Sequence, residues 1–259
     1  MEAYSGFAKV YDLFMDDVPY EKWCDGICKI LSHYGITDGI VAELGCGTGA
    51  MTRLLSQRGF DMIGIDVSEE MLLQARGYGD EGQSFETKPI LYLQQDMRSF
   101  ELYGTVAAIV SVCDSMNYIT QESELADVFS LVNNYLDPGG IFIFDMNTIH
   151  KYRDVIGDQL ICDQRDGADF IWDNYYDETK RLNEYQMTFF VRGADGRYQR
   201  FEEVHIQRGY EIADVCRLLE QSGLAVEGVY AEDFTRKGDE DCERVFFVAR
   251  ECRKSADAT

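Results

Sequence analysis

Basic residues are scarce in this chain. It has 24 lysines and arginines against 47 aspartates and glutamates, which gives a formal net charge of −23. Binding to nucleic acids and to anionic membranes relies on clustered Lys and Arg. Here no basic run is longer than a pair such as Arg236-Lys237 or Lys180-Arg181. The composition therefore argues against nucleic acid and against a membrane surface as partners.

Long apolar runs and paired cysteines are also missing. No stretch approaches the roughly 20 apolar residues that cross a bilayer, and the first residues lack the blocks of a signal peptide. The eight cysteines form no C-x-x-C pair, and Cys24 and Cys28 have no second ligand pair near them in sequence. We expect reduced thiols, no metal site and a cytoplasmic location.

What the chain does have is a glycine-rich motif, VAELGCGTG, at residues 41–49. The apolar residues 40–44 predict a buried strand, and the segment from Thr48 onward predicts a helix. Glycines at alternate positions permit a sharp turn and let a ligand approach the main chain. Free N–H groups at the start of the helix face the same place. The motif therefore predicts a cofactor-binding loop.

Two cofactor classes use such a loop. Gly45, Gly47 and Ala50 satisfy the dinucleotide pattern G-x-G-x-x-G/A, with Asp66 about 20 residues further on. The same glycines suit S-adenosylmethionine. Glu43 favours the second class, because its carboxylate would repel a pyrophosphate but attract an ammonium and a sulfonium. An NAD-dependent dehydrogenase remains the alternative.

Acidic residues recur where the next predicted strands end. Residues 61–66 predict a strand ending in Asp66, whose carboxylate suits two ribose hydroxyls. Ser68 caps the following helix, which brings Met71 to an adenine face. Residues 90–97 predict a third strand ending in Asp96, which can accept from the adenine amino group, while the Met97 N–H can reach a ring nitrogen. Strands at 106–112 and 141–147 follow, the latter after a predicted turn at 136–140.

Four motifs stand in the order and spacing of one family, namely ELGCGTG at 43–49, GID at 64–66, QDM at 95–97 and LDPGG at 136–140. From about Tyr4 to Glu251 the chain resembles the class I, Rossmann-like methyltransferases that depend on S-adenosylmethionine. The resemblance implies an α/β fold, a doubly wound and mostly parallel seven-stranded sheet, with S-adenosylmethionine as cofactor. The opening segment 4–12 resembles small-molecule members, including the sugar-amine N-methyltransferases and the YqeM-like group. Taken together, the motifs and the resemblance indicate these cofactor-binding residues: Tyr11, Trp23, Glu43, Gly45, Cys46, Gly47, Asp66, Val67, Met71, Asp96, Met97, Cys113 and Asp114.

About 60 extra residues, 148–209, separate the fifth strand from a helix at 210–223 and two final strands at 225–232 and 243–251. The extra segment is rich in aromatics and predicts a three-stranded antiparallel meander at 169–177, 182–192 and 197–208, with an Asp195-Gly196 turn. We expect it to cover the substrate site, with an N-terminal lid carrying Tyr4, Phe7 and Tyr11. The predicted division is residues 1–147 for the lid and cofactor half, 148–209 for the inserted subdomain, and 210–259 for the end of the Rossmann-like domain.

The predicted function is methyl transfer to nitrogen or oxygen of a small-molecule acceptor by in-line displacement. Such a reaction needs alignment and exclusion of water, and a base only if the acceptor carries a proton. His150, Asp114, Tyr118 and Tyr11 are candidates for that base, and none of them is singled out by the sequence. A tRNA or rRNA methyltransferase and a non-catalytic S-adenosylmethionine-binding protein remain alternatives. The sequence predicts no oligomeric state.

Overall fold

The structure is a computed structural model that describes Ala8 and residues 10–77 and 89–254. Over these residues, seven strands form one sheet in the order β10-β11-β5-β4-β1-β2-β3. Their bounds are β1 Ile40–Leu44, β2 Asp61–Asp66, β3 Leu91–Gln94, β4 Val106–Ser111, β5 Leu136–Asn147, β10 Leu224–Ala231 and β11 Arg244–Glu251.

Strands β1 to β5 run parallel to one another, whereas β11 runs antiparallel to both β5 and β10. The strand order reverses direction beside β1, where β2 lies on one side and β4 on the other. Parallel strands bring their carboxyl ends to one edge, and open α/β sheets bind ligands at that edge. The doubly wound, mostly parallel α/β sheet that was predicted is confirmed.

Helices cover both faces of this sheet, because alternate strand residues point to opposite sides. Ile141 and Ile143 of β5 pack into one apolar cluster with the first helices, and Phe142 and Phe144 pack into another with the later helices. None of the described helices is both long and apolar enough to span a membrane. The helix bounds are α1 Tyr11–Phe14, α2 Tyr20–His33, α3 Ala50–Gln57, α4 Glu69–Gly77, α5 Glu122–Tyr135 and α6 Ile212–Gln221.

Two strand predictions differ from the structure. Strand β3 ends at Gln94, before the predicted Asp96. The LDPGG segment predicted as a turn lies inside β5, where pairing with β4 shifts between Val106 and Ala108. Gly139 there has a φ of 77°, a value that glycine adopts without strain. The turn signal therefore marks an irregularity in the first five residues of the strand and does not precede the strand.

The inserted segment forms a separate antiparallel sheet. In the described chain it has four strands, β6 Leu160–Arg165, β7 Ala168–Asp177, β8 Leu182–Arg192 and β9 Tyr198–Arg208. The last three match the predicted meander, but β6 was missed. Its sequence LICDQR gives little apolar alternation, and it is held by antiparallel pairing with β7.

This inserted sheet packs against the N-terminal segment. Val10 joins Phe170 and Phe189 in an apolar cluster, and the rings of Phe14 and Phe170 meet edge to face with centroids 4.8 Å apart. The predicted lid residues Tyr4 and Phe7 lie outside the described residues. The sheet also contacts the short helix Ser115–Tyr118 that follows β4 at the ligand-binding edge.

Candidate active site

The glycine loop turns tightly between β1 and α3. Gly45 and Gly47 have φ values of 69° and 53°, and the N–H groups of Gly45 and Cys46 donate to the Ile65 carbonyl at 2.8 and 3.0 Å. A Cβ on Gly45 would lie 2.6 Å from the Ser115 Oγ, whereas a Cβ on Gly47 would meet nothing within 4 Å. The two glycines thus serve different needs, close packing at Gly45 and an open approach to the main chain at Gly47.

Asp66, at the end of β2, joins this loop to α4. Its Oδ2 accepts from the Gly47 N–H at 2.7 Å, and its Oδ1 accepts from the Ser68 N–H at 2.9 Å. Burial raises the pKa of Asp66, although both backbone N–H groups oppose the shift. Hydrogen bonds to a carboxylate hold it in a defined orientation, so Asp66 presents a fixed acceptor at the ligand-binding edge.

Glu43, at the end of β1, is 1% exposed and accepts a hydrogen bond from the Thr52 hydroxyl. Burial raises the pKa of Glu43 to about 8, a shift that the Thr52 hydrogen bond only partly offsets. Burying a carboxylate is costly unless a positive charge compensates it. The site is therefore built to favour a cation next to the loop.

The loop opens into a cavity of about 620 Å³ at the carboxyl ends of the parallel strands. Among the described residues that line it, Arg98 is the one basic side chain, and it is paired with Asp96 at 2.6 Å and with Glu124 at 3.2 Å. The hydrogen bonds from Arg98 lower the pKa of Asp96. A diphosphate would meet repulsion here, whereas a nucleoside carrying positive charge fits. The acids that line the cavity are Glu43, Asp66, Glu69, Glu70 and Asp96.

Comparison with known proteins agrees with this geometry. The family model described as a methyltransferase domain matches residues 41–140. The protein YqeM of Bacillus subtilis (strain 168) is 34% identical over 251 residues, which cover 96% of this chain and 98% of that protein. The chain belongs to the S-adenosylmethionine-dependent methyltransferases. The predicted family, enzyme class and cofactor are confirmed, and a dehydrogenase is set aside.

A solved relative supports the same assignment. The structure of an S-adenosylmethionine-dependent methyltransferase from Clostridium acetobutylicum ATCC 824 aligns with a TM-score of 0.85 at 29% identity, covering 97% of this chain and all of that chain. A more distant relative, the dTDP-3-amino-3,4,6-trideoxy-alpha-D-glucopyranose N,N-dimethyltransferase of Streptomyces venezuelae, is 24% identical over 85% of this chain and 90% of its own length.

The methyltransferase brings most of the sequence-predicted cofactor residues together, although their contacts with the cofactor stay predictions. The residues of that set that line the cavity are Tyr11, Glu43, Gly45, Cys46, Gly47, Asp66, Val67, Met71, Asp96, Met97 and Cys113. Of the four candidates for a base, Tyr11 and Tyr118 line it too.

Three predicted residues lie elsewhere. Trp23 is buried beneath α2 among core side chains, with its ring 5.6 Å from that of Phe246. His150 lies on the surface, with its Nδ1 2.9 Å from the Asp154 carboxylate. Asp114 is next to the cavity but is not part of its lining. The structure therefore does not bring Trp23, His150 or Asp114 to the cofactor pocket.

Asp114 instead anchors the end of β4. Its N–H donates to the buried Asp145 carboxylate at 3.2 Å, and its own carboxylate accepts from Arg244 at 2.7 Å and from Gln207 at 2.6 Å. Burial would raise the pKa of Asp114, but the charges of Arg244 and Lys151, together with the hydrogen bonds from Gln207 and Arg244, outweigh burial and hold the pKa below its ordinary value. Cys113 and Asp114 have φ values of 60° and 51°, and these contacts hold that left-handed turn in place.

Sequence reasoning missed several residues at the site. Tyr20 lines the cavity and accepts a hydrogen bond from the Cys113 thiol at 3.3 Å. Burial raises the pKa of that thiol to about 12, so it stays protonated. Strand β9 of the inserted sheet adds side chains behind the cavity lining, since His205 contacts Tyr118 at 3.0 Å, Gln207 donates to Asp114 at 2.6 Å, and Glu203 lies beside His205. Their signal was present in the sequence, because polar residues alternate with apolar Val204 and Ile206 along that strand.

Proposed function

We propose that this methyltransferase acts on nitrogen or oxygen of a small-molecule acceptor, bound between the carboxyl edge of the main sheet and the inserted sheet. The observation that carries the proposal is enclosure of the site from two sides. Tyr11 of α1 lines the cavity, and α1 packs through Phe14 onto Phe170 of the inserted sheet. A cavity of about 620 Å³ matches the size range of small-molecule sites.

The cofactor supplies an activated methyl group and leaves as a neutral thioether. In this proposal Glu43 and the Gly45 to Gly47 backbone hold the methionine end, Asp66 holds the ribose, and Asp96 with Met97 holds the adenine. The chain contributes alignment and exclusion of water, which together can lower a barrier by roughly 7–11 kcal/mol. In-line displacement would require the acceptor atom opposite the sulfur, and in this proposal Tyr11 and Tyr118, which line the cavity, contact the acceptor.

The proposed division of labour follows the chain. Residues 1–147 provide the lid and the cofactor half, 148–209 provide the subdomain that covers the acceptor, and 210–259 complete the main sheet. Contacts between the inserted sheet and the end of β4 support the cover, since Tyr118 meets His205 at 3.0 Å and Asn117 donates to the Arg208 carbonyl at 2.8 Å. A cytoplasmic location stays a prediction.

A macromolecular acceptor is less well supported. The net charge of −23 and the five acids around the cavity work against a polyanion such as tRNA or rRNA. The Streptomyces venezuelae relative is, by its name, an N,N-dimethyltransferase of a nucleotide-linked amino sugar. That name is consistent with a small acceptor carrying an amine.

The test is transfer of a radiolabelled methyl group from S-adenosylmethionine. The protein is incubated with a dialysable metabolite extract and, separately, with total RNA from the same cells. We expect label to enter the dialysable fraction only. Label in RNA would overturn the small-molecule acceptor, and binding of the cofactor without transfer to either fraction would favour a non-catalytic binding protein.

A further inference from the structure

Strand β9 has polar side chains on its buried face and apolar side chains on its exposed face, the reverse of the usual arrangement. Its outward-facing Val204 and Ile206 are apolar and 49% and 45% exposed, whereas its inward-facing Glu203 and His205 are polar and 2% exposed. A half-buried strand normally places its apolar residues inward. Burying a carboxylate and an imidazole also costs free energy that an apolar pair would avoid. The inward row therefore has a role other than stability.

The row leads to the cavity through one contact. Residues i and i+2 share a face of a strand, so Glu203 and His205 lie side by side, and Glu203 Oε2 is 3.3 Å from His205 Nε2. The other ring nitrogen, Nδ1, is 3.0 Å from the hydroxyl of Tyr118. Tyr118 in turn lines the cavity. The three side chains therefore lie in a row, with an ion-pair contact between Glu203 and His205 and a hydrogen bond between His205 and Tyr118.

The chemistry of each group assigns the protons along this path. A neutral imidazole has one nitrogen that carries a proton and one nitrogen that accepts a hydrogen bond. The groups that face the two nitrogens decide which of them carries the proton. Because Nε2 lies 3.3 Å from the Glu203 carboxylate, we assign the proton to Nε2, which leaves Nδ1 to accept from the Tyr118 hydroxyl. A hydroxyl that donates its proton still has lone pairs with which to accept another.

We propose that Tyr118, His205 and Glu203 form a proton relay that removes the proton from the methyl acceptor. This inference rests on the proposed function and adds the general base to it. As the acceptor atom bonds to the methyl carbon, the S–CH₃ bond breaks and its electron pair stays on the sulfur of the departing thioether. The acceptor's proton then moves to the Tyr118 oxygen, and the Tyr118 proton moves to His205 Nδ1. The imidazolium that results is stabilised by the Glu203 carboxylate. Tyr118 is the catalytic residue, and His205 and Glu203 are positioning residues that act through it.

The protonation of His205 can be measured without any acceptor. The chain has only three histidines, His33, His150 and His205, so ¹⁵N spectra of the imidazoles are simple to assign with single His→Gln variants. We expect the neutral His205 ring to carry its proton on Nε2, and we expect its Nδ1 signal to shift in Tyr118→Phe. A ring protonated on Nδ1 would overturn the relay, because it could not accept the tyrosine proton.

Turnover provides the second test, with the dialysable fraction that the wild-type enzyme methylates as acceptor. Removing a general base lowers rates by about 10²–10⁴-fold, so we expect Tyr118→Phe to lower kcat by about 100-fold and leave the Kd for S-adenosylmethionine unchanged. Glu203→Gln should lower kcat in the same direction. Val204→Thr, on the outward face of the same strand, is the matched control and should keep wild-type kcat.

The two proposals fail in different ways. If the wild-type enzyme methylates the fraction and Tyr118→Phe keeps its kcat, the relay is wrong and the proposed function stands. If the wild-type enzyme methylates nothing dialysable, the proposed function fails, and the imidazole spectra still decide whether the proton arrangement exists. Tyr118→Phe keeps the aromatic ring, so it decides the kinetic test even if Glu203→Gln does not fold.

Discussion

Replacing Asp66 tests most directly whether its carboxylate binds the ribose hydroxyls. Its carboxylate is already oriented by the N–H groups of Gly47 and Ser68, at 2.7 and 2.9 Å. In Asp66→Asn, one of the two oxygens becomes an NH₂ group that faces a backbone N–H donor. We therefore expect the variant to lose both the charge and the orientation of the acceptor that meets the ribose hydroxyls.

The magnitude follows from the hydrogen bonds lost. A hydrogen bond to a charged group contributes about 1.5–3 kcal/mol, and about 1.4 kcal/mol corresponds to tenfold in affinity. Loss of even one ribose contact should therefore weaken S-adenosylmethionine binding at least about tenfold. The same prediction holds for Asp66→Ala. Asp127→Asn, an identical chemical change on the exposed face of α5, should leave affinity unchanged.

Calorimetry with a cofactor analogue separates ribose binding from a general loss of structure. S-adenosylhomocysteine and its 2′,3′-dideoxy analogue are titrated into wild type and into Asp66→Asn. The wild-type protein should prefer the parent compound, and the variant should bind both about equally. If the wild-type protein does not distinguish the two, or if Asp66→Asn retains full affinity, then Asp66 does not bind the ribose.

Three further predictions concern the loop and the anchor of β4. Burial raises the pKa of Glu43 from 4.5 to about 8, so between these pH values the folded protein retains a proton that the unfolded chain releases. The free energy of unfolding should therefore fall as pH rises from 4.5 to about 8. Differential scanning calorimetry should show a smaller fall for Glu43→Gln. Gly45→Ala should weaken cofactor binding in titration calorimetry and also lower the Tm, since its new Cβ would lie 2.6 Å from the Ser115 Oγ at a positive φ and would displace the loop. Arg244→Met should lower the free energy of unfolding by about 3–5 kcal/mol in urea titrations, because it leaves the buried Asp145 carboxylate without its ion pair. Unchanged pH dependence, normal binding or wild-type stability, respectively, would contradict them.

The cofactor half was predictable because its function depends on local pattern. The nine residues from Val41 to Gly49 contain the end of a strand and the turn that leads into a helix. Asp66 follows at a fixed offset along a regular βα unit. Hydrophobic periodicity and glycine chemistry are properties of neighbouring residues. The sequence therefore sufficed for the main sheet and for the family.

The acceptor side was less predictable because it depends on contacts between distant segments. Tyr118 meets His205 across 87 positions, and Arg244 reaches Asp114 across 130. Trp23 illustrates the opposite error, since an aromatic residue at a plausible position proved to be a core side chain. Packing decides which face of α2 and which face of β9 is buried. On β9 the apolar side chains of Val204 and Ile206 face outward, so the apolar pattern alone would have predicted the wrong face.

Glu43 and Asp66, beside the glycine turn, are expected to select a positively charged nucleoside and to reject a diphosphate. The most direct measurement is calorimetric titration of the wild-type protein with S-adenosylmethionine and with NAD⁺ under identical conditions. We expect saturable binding of one molecule of S-adenosylmethionine per chain and no heat of binding for NAD⁺. Saturable binding of NAD⁺ with no response to S-adenosylmethionine would contradict it.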